Sequence, residues 1–197
     1  MSYSYRGRPM WKCPMDTAIY ADILWEIRPK TVIEFGSNRG ASALWLADQL
    51  TTFGVANAHV WSLDINPVTD LADPGRTFGF CEVANPAASL GPEDLQALPK
   101  RLLMIDDASP LGRHVLAVLQ FIDLITDPGD YVIIEDDILN QLGWEEEYQG
   151  GPLEVLRVFL AGDTAREAGP RCQIYHACCD IFGRNVTLNP ERYLRRL

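Results

Sequence analysis

Four short apolar runs, each closed by an acidic residue, stand out in the pattern of hydrophobic and polar positions. They are Thr31–Glu34, His59–Asp64, Leu102–Asp106 and Tyr131–Glu135. Runs of this length that lack polar alternation are typical of strands covered on both faces. The pattern therefore predicts the core of a parallel sheet.

Helical patterns lie between these strands. Apolar residues recur at helical spacing in Asp16–Ile27, Gly40–Leu50 and Leu111–Ile125. Alternating strands and helices favour right-handed βαβ units in an open, doubly wound α/β sheet. The absence of a repeat or a linker-like stretch predicts a single domain over residues 1–197.

The end of the chain changes character. Residues 172–182 (CQIYHACCDIF), Gly183, Arg184 and residues 185–188 (NVTL) predict two strands joined by a turn. Sequential strands of this kind are usually antiparallel, so we expect the parallel core to end in a C-terminal antiparallel hairpin. The basic residues after it are interpreted as a solvated terminus: Arg192, Arg195 and Arg196.

Two long polar loops, Asn66–Arg76 and Asp137–Pro152, interrupt the pattern. Loops of this length in a compact domain often carry function, and the second one is predicted to be a substrate lid at residues 137–152. Residues 1–15 are expected to lie over the active site. Trp11 and Trp144 fall in these flanking segments, whereas core packing is the default expectation for the other tryptophans, Trp25, Trp45 and Trp61.

Composition narrows the range of functions. The chain has 197 residues, 27 acidic and 17 basic side chains and a net charge of −10. Such a charge disfavours nucleic acid as a partner, because phosphate binding needs a basic face. Apolar stretches stop well short of the roughly 18–20 residues that cross a bilayer, and no secretory signal is evident, so no membrane partner and a cytoplasmic location are expected. Five cysteines without a CxxC pair favour reduced thiols.

A glycine turn follows the first predicted strand, in VIEFGSNRG at residues 32–40. Gly36 and Gly40 let the backbone approach a ligand at the amino end of a helix. Their Gly-x-x-x-Gly spacing differs from the dinucleotide fingerprint, so a pyrophosphate site is disfavoured. Asp64 ends the next strand, where it can accept hydrogen bonds from ribose hydroxyls. A nucleoside ligand without a diphosphate fits this pattern, although a merely structural turn fits it equally.

Acidic residues end two further strands: Asp106 and Asp107 after one, and Glu135, Asp136 and Asp137 after the other. The carboxyl ends of parallel strands meet at one edge of a sheet, so these side chains should converge there with Gly36 and Asp64. Neighbouring carboxylates repel one another unless a cation neutralises them, and oxygen ligands suit Mg²⁺. The alternative is that they are helix caps and solvated strand ends.

Several stretches together resemble a known family: KCPMDTAIYADILWEIRPKTVIEFGSNRGASALWLAD, IDDAS, GDYVIIEDD and NPERYLRRL. They are similar to the cephalosporin hydroxylase family of class I S-adenosylmethionine-dependent methyltransferases, related to macrolide and sugar O-methyltransferases. The resemblance implies a Rossmann-like, mostly parallel seven-stranded sheet. It also implies that S-adenosylmethionine binds along the glycine turn, at Asp64 and beside residues 83–85, which gives the expected cofactor site Glu34, Gly36, Ser37, Asn38, Gly40, Asp64, Ile65 and Asn85.

The family resemblance also implies a divalent cation, Mg²⁺ or another, held by Asp106, Glu135 and Asp136. Asp106 would thereby help to orient the acceptor. Metal-dependent relatives often carry a Lys or His three residues after the first metal acid, where this chain has Ser109. His114 is the fallback base. Without a base, three alternatives stay open: a hydroxyl acidified by the metal, an acceptor that is already ionised, or a protein that binds without catalysis.

The sequence thus predicts an S-adenosylmethionine-dependent, Mg²⁺-assisted O-methyltransferase acting on a small-molecule methyl acceptor of specialised metabolism. Related enzymes assemble into dimers or larger rings, so a homo-oligomer is expected. One alternative is a degenerate methyltransferase-like binding or assembly subunit, which the residue at position 109 favours. The other is a nicotinamide-dependent oxidoreductase, which the glycine spacing disfavours.

Overall fold

A computed structural model describes residues 3–71, 73–91, 93, 95, 97–136, 138–164, 170–179, 181–182, 186–189 and 191–197 of the chain, without the side chains of residues 163, 164 and 179. The strands are β1 (Tyr3–Tyr5), β2 (Arg8–Met10), β3 (Thr31–Phe35), β4 (His59–Asp64), β5 (Arg76–Phe80), β6 (Leu102–Asp106), β7 (Tyr131–Ile134), β8 (Cys172–Ile174) and β9 (Tyr193–Arg196). The helices are α1 (Pro14–Ile27), α2 (Ala41–Thr52), α3 (Pro86–Ser89), α4 (Gly112–Ile125), α5 (Ile138–Gln141), α6 (Gly151–Thr164) and α7 (His176–Cys179).

The main sheet has seven strands in the order β5-β4-β3-β6-β7-β9-β8. The pairs from β5 to β7 are parallel, and β9 is antiparallel to both β7 and β8. This is the mostly parallel sheet with antiparallel C-terminal strands that the sequence predicts. The strand order reverses between β3 and β6, which is where open α/β sheets bind ligands.

Alternating side chains of the central strands pack into two layers of core. On one face, Val32 of β3 packs with Ile19 and Leu24 of α1 and with Leu46 of α2. On the other face, the next residue, Ile33, packs in the layer that contains helix α4. Burial on both faces explains why these strands are mostly apolar. The four predicted strands and three predicted helices match β3, β4, β6, β7, α1, α2 and α4 to within two residues.

The two C-terminal strands are antiparallel as predicted, but the residues predicted to form them are wrong in part. Only Cys172–Ile174 of the first predicted strand is extended, and it continues into the short helix α7, which contains the buried Cys178. Residues 186–188 form bends, and residues 183–185 lie outside the described residues. The partner of β8 is Tyr193–Arg196 instead. Among the described residues, no disulfide joins the cysteines, which are Cys13, Cys81, Cys172 and Cys178.

The basic end of the chain is not a solvated terminus. Arg192 and Arg196 are buried, and only Arg195 of the three is exposed. Arg196 is covered because β9 lies between two other strands, and its Nη1 atom lies 3.0 Å from Asp123 Oδ1 on α4. Because β9 mixes apolar and basic residues, its sequence resembles that of an exposed segment, although the strand lies inside the sheet between β7 and β8.

Strands β1, β2 and β5 were not predicted. β1 and β2 form a small antiparallel sheet that rests on helix α2, where the Tyr5 hydroxyl donates to Asp48 Oδ2 at 2.9 Å. β5 is an edge strand of half-buried residues, so it lacks the continuous apolar run of the central strands. It begins at Arg76, where the predicted loop ends.

Two further expectations concern tryptophan and the membrane. Trp25, expected in the core, is 58% exposed on α1, where it lies edge-on to Phe53 and under the Arg28 guanidinium. Trp45 and Trp61 are half-buried beside the core. Among the described helices, none combines the length and the apolar character that crossing a bilayer requires.

Gly36 lies where β3 and β6 come closest beyond their carboxyl ends. Its φ is +99°, and a Cβ atom there would overlap the Asp107 carbonyl oxygen and lie 2.6 Å from the carbonyl carbon. Gly129 also has a positive φ, +92°, but a Cβ atom there meets nothing within 4 Å. The two glycines therefore differ in crowding at nearly the same backbone angle.

Gly36→Ala is expected to lower the free energy of unfolding by about 1–3 kcal/mol more than Gly129→Ala does. Both variants carry the strain of a left-handed alanine, about 1–2 kcal/mol, but only the first must push a backbone segment aside. Urea unfolding monitored by circular dichroism measures both. Equal losses in the two variants would contradict the close approach of the two loops.

Candidate functional site

The backbone ladder carries the acidic residues to one edge of the sheet. Beyond the strands, the Gly36 N–H donates to Leu63 O at 2.7 Å, the Asp107 N–H to Phe35 O at 2.9 Å, and the Glu135 N–H to Asp106 O at 2.9 Å. Adjacent strands β4, β3, β6 and β7 thus end level with one another. The prediction that the glycine turn and the acids share one edge is confirmed by this register.

Lys12 was not predicted as a site residue, although it lies among the acidic residues at this edge of the sheet. It is 4% exposed, and its ammonium lies 2.6 Å from Asp107 Oδ2, in contact with Glu135 Oε1 and 3.8 Å from Glu34 Oε1. Burial alone would lower the pKa of Lys12, but the charges of Asp107, Glu135 and Glu34 outweigh it and hold the pKa well above its ordinary value. Lys12 therefore stays a cation inside the acidic edge.

Glu135 is held from a second side by helix α1. The Tyr20 hydroxyl donates to Glu135 Oε1 at 2.5 Å, and both side chains are buried. Lys12 and Tyr20 thus fix one oxygen of this carboxylate. The segment before α1 and the helix itself both position the acid that ends β7.

Asp136 is positioned through its backbone. Its φ of +64° is unusual for a residue other than glycine, and its N–H donates to Asn189 Oδ1 at 3.1 Å. Asn189 in turn donates from Nδ2 to Asp16 Oδ2 at 3.3 Å, and Thr187 and Leu188 also bind the Asp16 carboxylate. A buried network from α1 through residues 187–189 therefore holds the turn that presents Asp136.

Asp106 and Asp136 carry the unbalanced charge of the edge. Burial first, and then the charges of Asp136 and Glu135, raise the pKa of Asp106 to about 7. Burial and the Glu135 charge likewise raise the pKa of Asp136. Asp106 Oδ2 is buried and has no hydrogen-bond partner among the described residues. An orphaned carboxylate oxygen in an acidic cluster is a site that accepts either a proton or a cation.

The chemistry of this donor set fits a divalent cation. The three residues predicted to hold it, Asp106, Glu135 and Asp136, follow adjacent strands, and one ammonium cannot balance their charge together with that of Asp107. In the described part of the chain, however, no three acidic, histidine or cysteine side chains stand arranged as a ready-made metal site. Glu135 Oε1 faces Lys12 and Tyr20 instead. The ligand set is therefore a prediction that the donor chemistry supports.

A cleft of about 880 Å³ opens at this edge. Its described lining includes Gly36, Asn38, Asp64, Asp107 and Asp136, which come from the loops after β3, β4, β6 and β7. The same cleft reaches the N-terminal segment at Arg8 and Trp11. Three predicted cofactor residues, Gly36, Asn38 and Asp64, and one predicted metal ligand, Asp136, thus line one cleft at the point where the strand order reverses.

Asp64 already supports the backbone of the cleft. Its two carboxylate oxygens accept from the Asn38 N–H at 3.1 Å and from the Asn66 N–H at 2.9 Å. A carboxylate has about four acceptor positions, so capacity for ribose hydroxyls remains. Asn38 itself has a φ of +45°, which the Asp64 contact helps to hold.

Glu34, Ser37 and Gly40 lie behind the residues that line the cleft. Glu34 is fully buried, and its Oε2 accepts from the Ser62 hydroxyl at 2.7 Å, while Ser37 Oγ lies 2.9 Å from the same hydroxyl. Gly40, with a φ of +77°, begins helix α2 against Leu71 and Phe78. These predicted cofactor residues shape the turn from behind in this structure.

A second cavity of about 280 Å³ adjoins the cleft at Asp64 and Ala108. Ile65 and Val83 line it, as the expectation for the adenine side requires, while Asn85 is exposed in the turn before α3. His114 lines it too. Its Nδ1 lies 2.9 Å from Ser109 Oγ, and its Nε2 accepts from Arg113 at 3.3 Å. The fallback base therefore contributes to the wall of the second cavity, together with Ser109.

The predicted lid has structure of its own. Within residues 137–152, position 137 lies outside the described residues, α5 follows, and turns lead to α6. The Gly112 N–H at the start of α4 donates to Tyr148 O at 2.9 Å, which ties the segment to that helix. Trp144 is half exposed there. A lid function of this segment stays a prediction.

Comparison with known proteins identifies relatives along the whole chain. The family described as Rhamnosyl O-methyltransferase/CmcI matches residues 1–197. Rhamnosyl O-methyltransferase of Mycobacterium tuberculosis (strain H37Rv) is 29% identical over 167 residues, 79% of this chain and 65% of the relative. The Mycobacterium leprae protein of the same name is 27% identical over 164 residues, 79% of this chain and 69% of the relative. The chain therefore spans slightly less than two thirds of the M. tuberculosis protein.

Solved structures agree with the fold. CmcI in a form with Mg and S-adenosylmethionine has a TM-score of 0.72 at 25% identity, over 99% of this chain and 76% of that one. MycE methyltransferase from the mycinamycin biosynthetic pathway, with Mg, S-adenosylhomocysteine and mycinamycin VI, has a TM-score of 0.57 at 16% identity, over 91% and 48%. The family resemblance and the class I methyltransferase fold predicted from the sequence are both confirmed.

The charge of the edge predicts a pH dependence of stability in metal-free protein. The folded-state pKa of Asp106, about 7, lies above its ordinary value of 3.8. The folded state therefore binds more protons, and this contribution to stability is lost as the pH rises from about 4 to about 7. The free energy of unfolding falls by about 1.36 kcal/mol per pH unit in this range, at most about 4 kcal/mol in total, and Asp106→Asn should abolish this decrease.

Urea unfolding in chelator at several pH values measures this effect. Asp106→Asn is expected to be more stable than the wild type at pH 8 and to show a flatter profile below it. Asp22→Asn, an exposed position on α1, is the matched control and should follow the wild type. Parallel wild-type and Asp106→Asn profiles would contradict a buried, protonatable carboxyl at position 106.

Proposed function

The chain belongs to the Rhamnosyl O-methyltransferase/CmcI family, and on that premise we propose that it is an S-adenosylmethionine-dependent O-methyltransferase. The observation that carries the proposal is the cleft at the strand-order reversal, where Gly36, Asp64 and the acidic edge face one space. When bound, S-adenosylmethionine would supply a methyl group to the acceptor oxygen; the electron pair of the broken bond stays on sulfur, and the acceptor hydroxyl loses its proton to water.

In this proposal the loops after β3 and β4 hold the cofactor. Asp64 accepts hydrogen bonds from the ribose hydroxyls. The turn from Gly36 to Asn38 lies along the methionine part of the cofactor. Ile65 and Val83 flank the adenine in the second cavity. Glu34 and Ser37 act from behind the turn, because Glu34 Oε2 and Ser37 Oγ both accept from the Ser62 hydroxyl. The acceptor then occupies the part of the cleft between Asp136 and the N-terminal segment.

We further propose that the enzyme is assisted by Mg²⁺, with Asp106, Glu135 and Asp136 as its protein ligands. The ion would act as a Lewis acid on acceptor oxygens. The orphaned Asp106 oxygen and the exposed face of Asp136 in the cleft support this assignment. With or without the ion, Lys12 holds the Glu135 carboxylate in place, because its ammonium contacts that carboxylate.

The acceptor is proposed to be a small molecule of specialised metabolism. The relatives are named for rhamnosyl O-methylation, and CmcI and MycE were solved as cofactor complexes, one of them with mycinamycin VI. The net charge of −10 supports a small molecule over nucleic acid.

A binding subunit without transfer activity is the second candidate, and one observation favours it. Ser109 stands where metal-dependent relatives often have a base, and it contacts His114, which points into the second cavity. Such a subunit would bind cofactor but release no demethylated product with any acceptor. Family membership argues against the nicotinamide-dependent alternative.

Calorimetric titration with S-adenosylhomocysteine tests the cofactor site. Asp64→Ala is expected to weaken binding about 10-fold to 100-fold, because hydrogen bonds to a charged acceptor contribute about 1.5–3 kcal/mol. Asp64→Asn keeps one acceptor oxygen for the two backbone N–H groups and controls for loss of the turn. Asp22→Ala should bind like the wild type. Wild-type protein that binds no S-adenosylhomocysteine would overturn the proposed function.

Mn²⁺ binding followed by electron paramagnetic resonance, with Mg²⁺ as competitor, tests the metal site. Asp136→Ala is expected to weaken binding at least 10-fold, since even the loss of an outer-shell partner costs about that much. Asp70→Ala removes an acid that lines the same cleft outside the predicted ligand set and should have little effect. Equal losses in the two variants would mean that the cleft attracts cations only through its overall charge.

A further inference from the structure

A buried ammonium already occupies part of the acidic edge. Lys12 Nζ lies 2.6 Å from Asp107 Oδ2, contacts Glu135 Oε1 and lies 3.8 Å from Glu34 Oε1. The same ammonium lies over the Tyr20 ring, 5.9 Å from its centre. Three carboxylates and an aromatic ring therefore stabilise one positive charge inside the protein.

The ammonium leaves two of the proposed metal ligands without a contact to it. Among the described residues, no ion pair joins Lys12 to Asp106 or to Asp136, and Asp106 Oδ2 is buried without a hydrogen-bond partner. Glu135 belongs to both parts of the edge. Its Oε1 binds Lys12 and Tyr20, and neither of these contacts involves its Oε2. Lys12 thus neutralises one part of the edge and borders the other.

A divalent cation bound in the second part would share Glu135 with the Lys12 ammonium. Two positive charges beside one carboxylate repel each other, and the repulsion is strong where burial excludes water. Without the ammonium, the carboxylates of Glu34, Asp107 and Glu135 would be buried close together with their counter-charge removed. The same lysine therefore has opposite effects on the metal-free edge and on metal binding.

We propose that Lys12 is an internal counter-ion, which keeps the acidic edge folded without a metal ion and lowers the affinity of the proposed metal site by its charge. This inference rests on the proposed function, because the repulsion matters only where a divalent cation binds. Lys12 is a positioning residue in this scheme, since it acts on the cation through Glu135 and through its charge. The cation becomes an exchangeable component of the site, whose loss leaves the fold intact.

A lysine that only oriented Glu135 would have the opposite effect on metal binding. Its removal would loosen a ligand and weaken the binding of the cation. Removal of a repelling charge strengthens that binding instead. The direction of the change in affinity therefore separates the two roles.

Mn²⁺ binding to Lys12→Gln, followed by electron paramagnetic resonance, measures this direction. Glutamine is neutral but can still donate a hydrogen bond to a carboxylate, so the substitution removes the charge and keeps a donor. Lys12→Gln is expected to bind Mn²⁺ at least tenfold more tightly than the wild type, because the repulsion between the two cations is gone.

Thermal unfolding provides a second readout that does not depend on activity. In chelator, Lys12→Gln should unfold at a lower temperature than the wild type, since the buried carboxylates have lost their counter-charge. A fixed Mn²⁺ concentration should then raise the unfolding temperature of Lys12→Gln by more than that of the wild type, because a tighter ligand stabilises the folded state more.

Lys30→Gln is the matched control for the loss of one positive charge. Lys30 directly precedes β3, where its Nζ donates to Ala56 O at 2.6 Å. The five residues of β3 separate it from the acidic edge by on the order of 15 Å. This exceeds the Debye length of about 8 Å at physiological ionic strength, so Lys30→Gln should change Mn²⁺ affinity less than about twofold.

Three results would overturn the inference while leaving the proposed metal site in place. The first is Mn²⁺ binding to Lys12→Gln that is equal to or weaker than that of the wild type. The second is a Lys12→Gln variant as stable as the wild type in chelator. The third is a variant that stays unfolded in Mn²⁺, since the metal ion then fails to replace the ammonium.

Failure of the proposed function gives different results. Mn²⁺ binding to neither the wild type nor Lys12→Gln would remove the proposed metal site and this inference with it. Binding of S-adenosylhomocysteine by the wild type still tests the cofactor site separately.

Discussion

The buried ammonium of Lys12 is the interaction on which the rest of the site depends. It joins the N-terminal segment to the ends of three adjacent strands through Glu34, Asp107 and Glu135. Burying a charge is costly unless partners of opposite sign surround it, so each of these groups makes the burial of the others tolerable. Removing the ammonium would leave buried carboxylates without a counter-charge. The path of the chain over the cleft, including the placement of Trp11, follows from this one contact.

The same edge retains more negative charge than Lys12 can balance. Asp106 and Asp136 respond with raised pKa values, and Asp106 keeps one buried oxygen without a partner among the described residues. A fold selected for stability alone would replace such groups with apolar ones. Concentrated charge at the carboxyl ends of the strands therefore supports the proposal that a ligand binds there.

The sequence predicts what depends on local pattern and misses what depends on distant partners. Mostly apolar runs mark β3, β4, β6 and β7, because burial on both faces leaves few polar positions in them. The β9 strand was not predicted, because the burial of Arg196 depends on Asp123 of α4 and on neighbouring strands. Lys12 escapes for a related reason. Two of its partners lie 95 and 123 residues away, and a single lysine two residues before a proline has no periodic signal.

The acids themselves were predictable because they directly follow recognisable strands, and strand ends meet at one edge. Their exact surroundings were not. His114 follows Ser109 closely enough in sequence to suggest a base, but the turn into α4 carries it to the second cavity. Glu34 was predicted to end its strand, but β3 continues to Phe35, and the Ser62 hydroxyl binds the Glu34 carboxylate away from the residues that line the cleft.

The network behind Asp136 also bears on the order in which the protein folds. Asp16 meets Thr187 and Asn189 across 171 and 173 residues of chain. Contacts of such long range close large loops and form late, after the local βαβ units have assembled. We therefore expect folding intermediates to contain an ordered parallel core while the turn that presents Asp136 is still unformed, so that competence to bind ligands at the acidic edge arrives with the last step of folding.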